Sequence, residues 1–158
     1  MTSISARLLI ALAAVAAVAA GCSKEKPKPG EPVTFETFCD PKFDPTMHKG
    51  DNILKRVTIE GYLRPQKMFT LCSNICSLDL FPEPGGKGES ISVSFFVGDD
   101  ENQMAELPKQ YSEKDIKIKA HDGRVVGIDQ KVRVTGGRLG TKKDHGCQLY
   151  KTDLIEAL

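Results

Sequence analysis

Between residues 56 and 63 the side chains alternate: Val57, Ile59, Gly61 and Leu63 fall on one side, Thr58, Glu60 and Tyr62 on the other. A period of two marks a strand with one face in a core. The period returns from Ile91 to Val97, with Ile91, Val93, Phe95 and Val97 together, and from Lys131 to Thr135, with Val132 and Val134 inward. Cys76 to Phe81 and Gln148 to Glu156 also read as strands. Six residues from these runs, Val57, Ile59, Val93, Phe95, Val132 and Val134, are expected to share one core.

The connections carry their own signals. Arg64 to Ser73 has no sustained period and reads as a long connection, and Pro82 to Gly88 can only be a turn. That glycine-rich patch lacks the spacing of a phosphate loop and does not open a helix. After the third strand, Asp99 or Asp100 offers an N-cap, Gln103 fits a capping box, and Met104 and Leu107 lie one turn apart before Pro108, so a short helix is predicted there. Asp115 to Ala120 and Arg124 to Ile128 form a small hairpin around His121, Asp122 and Gly123. Gly136 and Gly137 permit a bulge near the end of the fourth strand, and Thr141 to Gly146 is a charged loop.

The order of three strands, a helix and two strands resembles the OB-fold, a five-stranded Greek-key barrel, over about Asn52 to Leu158. The residues that carry the resemblance are Gly61, at the place where the family's first strand bends, and Val132, Val134 and Gly136, which match the end of its fourth strand. The expected class is therefore all-β with one short helix, as an OB-like barrel, with a β-sandwich as the alternative. The resemblance implies a ligand face on strands two and three, flanked by the connections between strands one and two and between strands four and five. Those connections offer Arg64, Gln66, Lys67, Phe69, Arg138, Lys142, Lys143 and His145, a local basic patch with one aromatic.

The first 21 residues have one basic residue, Arg7, then an apolar run from Leu8 to Ala20. A spanning helix needs about 20 apolar residues, so this shorter run reads as a secretory signal. Ala19, Ala20, Gly21 and Cys22 resemble the lipobox of bacterial lipoproteins, which implies cleavage after Gly21 and acylation of Cys22. Ser23 behind the acylated cysteine implies, by the sorting rule of Gram-negative lipoproteins, the periplasmic side of the outer membrane. Residues 22–38 begin with a charged, proline-rich stretch that reads as a stiff tether lifting the domain, residues 39–158, off the bilayer.

The chain has 22 Lys and Arg against 21 Asp and Glu, and losing Arg7 with the signal leaves 21 of each. Zero net charge argues against a nucleic-acid binder. His48, His121 and His145 share no motif, and Asp40, Asp44 and Asp51 lack the spacing of a calcium loop. No nucleophile with a neighbouring base is visible. The reading is a non-catalytic binding module without a cofactor, whose partners are the membrane, through its lipid, and an envelope protein, a glycan or a small molecule.

Cys39, Cys72, Cys76 and Cys147 remain in the domain, an even number in a compartment where thiols oxidise. Four cysteines allow three pairings. Long loops remove more entropy from the unfolded chain, and strands two and five are expected to start at the same end of an OB barrel, so Cys76 with Cys147 and Cys39 with Cys72 are favoured over Cys72 with Cys76. The alternative function uses Cys72 and Cys76 as a thiol redox or metal pair, since their spacing resembles the CxxxC of copper-chaperone lipoproteins.

Overall fold

The computed structural model describes residues 26–48, 51–66, 72–141 and 146–158, with the backbone alone at 51 and 52. Five long strands form a barrel: β1 (Lys55–Pro65), β2 (Ile75–Phe81), β3 (Ile91–Phe96), β4 (Lys131–Leu139) and β5 (Gln148–Ala157). Around the barrel the order is β1, β2, β3, β5, β4, and β4 pairs back onto β1. All neighbours are antiparallel except β3 and β5, which run parallel. Closure excludes the sandwich: this is an OB-like barrel.

The alternation explains the barrel. Val57, Ile59, Leu63, Leu78, Leu80, Ile91, Val93, Phe95, Val132, Val134 and Leu149 are all buried in one core, so the six residues expected to meet do meet. At Gly61 a Cβ would stand 2.5 Å from the carbonyl oxygen of Phe81. One residue later β1 begins to pair with β2 while still paired with β4. A side chain at residue 61 would push β2 away. The bulge foreseen at the paired glycines also forms: the register of β4 on β5 shifts between Thr135 and Gly137, with Lys151 in the left-handed region at φ 51°. The extra β5 residues pack over Gly136, whose Cβ would lie 3.2 Å from the Cα of Thr152.

The helix expected after β3 does not form. In its place Gln103–Met104 pairs with Ile118–Lys119, which pairs with Val125–Val126, a three-stranded sheet. The segment is too short to hold a helix by itself, and Asn102 breaks it at φ 62°. The Asn102 carboxamide oxygen accepts the N–H of Ile155 at 2.8 Å, tying the turn to β5. The capping contact is real but serves a turn, with Asp100 N–H donating to Gln103 Oε1 at 3.3 Å. Met104, Ile116, Ile118, Ala120 and Val126 are buried in the same core as the barrel. This insert plugs the end where β1 and β5 finish. Helix among the described residues is limited to 3-10 turns at Pro41–Phe43 and Glu113–Asp115.

The N-terminal stretch is no free tether from Lys26 onward. Lys26 Nζ meets Glu156 at 2.8 Å, the Lys28 carbonyl accepts from Arg56 Nε at 2.8 Å, and Gly30 N–H donates to Thr58 Oγ1 at 2.8 Å. Glu31–Pro32 then adds a short parallel strand to β1 opposite Val57 and Thr58. There β1 has β4 on one side and has not yet met β2, so the strap covers an open edge. It also lies over a polar pair on the barrel wall, Thr58 and Thr135, whose hydroxyls are 2.8 Å apart and buried. Composition showed nothing apolar to bury in this stretch; backbone hydrogen bonds, and a glycine able to approach β1 closely, dock it instead.

Replacing Phe95, wholly buried at the barrel centre, by Ala is expected to cost roughly 3 to 5 kcal/mol, read as a lowered denaturant midpoint. A midpoint close to the parent's would contradict the strand phase.

Candidate binding face

Because alternate residues of β2 and β3 fill the core, the others form an outer face. Ile75 stands opposite Phe96, Ser77 opposite Ser94 and Asp79 opposite Ser92. The Ser77 and Ser94 hydroxyls are 3.2 Å apart, and the Gln66 carboxamide, just past the end of β1, donates to Ser92 Oγ at 3.0 Å and Asp79 Oδ1 at 3.3 Å. Phe96 is 39% exposed at one edge. Gln66, Ser77, Cys72, Cys76 and, from the insert, Tyr111 line one small hollow beside this face. Loss of water around the Tyr111 phenol pushes its pKa above the usual value. Ser94 is buried, so what the described face offers is the half-buried Ser77, Ser92, Gln66 and Asp79 beside the aromatic edge of Phe96.

The basic patch expected there is not what the described residues form. Arg64 turns away to the 82–88 turn: its guanidinium pairs with Asp129 and, at 3.4 Å, with Glu113, while Asp129 accepts the Gly85 N–H at 3.0 Å. Arg138 is fully buried. It donates to the Phe38 carbonyl at 3.3 Å, to Asp44 Oδ1 at 2.7 Å, to the Gly140 carbonyl at 2.6 Å and to Cys147 Sγ at 3.2 Å. A buried guanidinium has to be satisfied in this way: four of its five N–H donors are engaged within the protein, and none of the side chain reaches the surface. Its inward position was readable, since Val132, Val134, Gly136 and Arg138 share one parity. Cys22, Lys67, Phe69, Lys142, Lys143 and His145 lie outside the described residues. Ser77, Asp79, Ser92, Ser94 and Tyr111 were missed; the first four are the outward complement of the core positions, whereas Tyr111 had no periodic signal.

The disulfides differ from the favoured pairing. Cys39 bonds Cys147 with Cα atoms 5.7 Å apart, and Cys72 bonds Cys76 with Cα atoms 4.5 Å apart. The reason is strand direction. β2 runs against β3, with Cys76 opposite Phe95, whereas β5 runs along β3, with Gln148 opposite Ser92, so Cys147 comes level with Ile91. Cys76 and Cys147 are therefore displaced by four residues of β3, roughly 13 Å at a strand's rise, beyond the ~7 Å that a disulfide spans. The long bridge, with a separation of 108 residues, supplies most of the chain-entropy stabilisation, roughly 4 to 5 kcal/mol for a loop of that size.

On the far wall, Glu60 takes both Arg133 and Lys131, and these cations hold its carboxyl below the usual range. Among the described residues no three His, Cys, Asp or Glu side chains gather as a metal site would require. No protein-family model matches the chain, and no curated protein matches it.

Peptide mapping without reductant should recover Cys39 linked to Cys147 and Cys72 linked to Cys76. A Cys39 to Cys72 link would contradict the strand directions, and free thiols at Cys72 and Cys76 would favour the thiol redox or metal reading.

Proposed function

We propose that the chain is an exported lipoprotein, cut after Gly21 and acylated on Cys22, whose OB-like barrel is a non-catalytic binding module on the periplasmic side of an outer membrane. The reading is carried by the sequence, a short apolar run behind Arg7 that ends in small residues before Cys22, and the four domain cysteines, which lie close enough to pair as Cys39 with Cys147 and Cys72 with Cys76, agree with it. Such bridges form and persist in oxidising compartments. Acyl chains at about 0.8 kcal/mol per buried CH₂ make several chains on one cysteine a stable anchor.

Within that reading the ligand is a hydroxyl-bearing molecule of the glycan class, held on the outer face of β2 and β3. Ser77, Ser92 and Gln66 supply neutral donors and acceptors, and Asp79 adds a carboxylate that accepts from hydroxyls. The Phe96 edge offers an apolar contact to a sugar ring.

Metabolic labelling with a fatty acid should mark the parent, while Cys22→Ala should be unlabelled, still folded and released from the membrane fraction. An unlabelled parent in the soluble fraction would overturn the anchor. Titration of the folded chain with soluble oligosaccharides should shift amide resonances of residues 75–79 and 92–96; shifts confined elsewhere, or none, would overturn the ligand face.

A further inference from the structure

The docked strap leaves very little chain between the barrel and the cysteine proposed above as the lipid site. From Cys22 to Lys26 there are four residue steps, at most ~14 Å when fully extended. A headgroup layer takes up roughly 5 to 8 Å of that on each side of the hydrocarbon. Lys26 is paired with Glu156 at the end of β5, and two residues on, the Lys28 carbonyl is held by Arg56. A barrel so tied cannot stand off the bilayer.

We propose that the wall around Lys26 lies against the lipid surface itself. This rests on the acylation of Cys22. Lys26, His121, Arg124, Arg133 and Leu158 share one hollow at this end of the barrel. The Arg124 side chain is largely exposed, as is Leu158 at 51%. The charges here are paired within the protein, Arg124 with Asp122 at 2.6 Å, Lys26 with Glu156 at 2.8 Å and Arg133 with Glu60 at 2.6 Å, so the wall is close to neutral and is held at the surface by the short anchor rather than by excess charge. Exposed ion pairs on long stems beside an exposed leucine suit the headgroup boundary, where the stems and the leucine enter apolar surroundings and the pairs stay in the polar layer. The face of β2 and β3 is on the other side of the barrel from the β1 and β4 wall that the strap crosses, so it stays open to the aqueous side.

The chain has no tryptophan, so one introduced indole reports its own depth. The test uses the full acylated chain in vesicles of phosphatidylethanolamine and phosphatidylglycerol containing a lipid with a nitroxide headgroup. Leu158→Trp should lose most of its fluorescence. Met47→Trp, on the exposed hairpin beyond Asp44 at the opposite end, should keep it. A long Gly-Ser spacer inserted after Ser23 should restore the Leu158→Trp signal with vesicle binding intact. Equal quenching at the two positions, or quenching that survives the spacer, would overturn the proposal with acylation established. A mature chain whose mass shows no lipid would instead overturn the lipoprotein reading on which it rests.

Discussion

A guanidinium cut off from water has to find its partners inside the protein, and the partners of Arg138 come from three separate stretches of chain. Phe38 and Asp44 belong to the N-terminal segment, Gly140 to the end of β4, and Cys147 to the approach of β5. Removing one partner of a buried charge costs several times what an exposed pair is worth, because the charge is left unpaired in a low dielectric. The N-terminal segment is therefore part of the barrel. Phe38 and Phe43 seal the end at which Arg138 sits, both packed in the main core. The Cys39–Cys147 bridge closes the same junction covalently.

That junction orders what precedes it. With Phe38 and Cys39 fixed, the preceding residues can reach the open edge of β1, where Glu31–Pro32 and Gly30 dock. The opposite end is closed by the insert, which gives Met104 and Ile118 to the core in place of a helix. With both ends plugged and one wall covered, the outer face of β2 and β3 is the polar face on which the proposed binding rests.

Much of the barrel could be read from the sequence because half-buried strands print their period directly. Val57 and Ile59, Val93 and Phe95, and Val132 and Val134 were placed inward by parity alone, and Gly61 and the Gly136–Gly137 bulge by the need for backbone to pass close to backbone. The failures are non-local. Residues 99–108 carry true helix signals, but Asn102 is bonded to Ile155, 53 residues away, and that contact decides the turn. Cysteine partners depend on whether strands run parallel or antiparallel, which a period of two does not encode. Charge is a strong surface signal and suggests a loop cation at Arg138; parity points inward instead, and two of the four acceptors that permit burial, Phe38 and Asp44, come from residues 94 or more positions away. The strap reads as a tether in the sequence because its docking uses mostly backbone groups, which every sequence has.

The claim that the Arg138 guanidinium locks the N-terminal segment to the barrel is tested most directly by a double-mutant cycle on unfolding free energy with Arg138→Met and Asp44→Ala. If the two act through one contact, the coupling energy should be about 1 kcal/mol or more, with the Arg138 change much the costlier of the two. Losses that add within about 0.5 kcal/mol, as for independent sites, would contradict it.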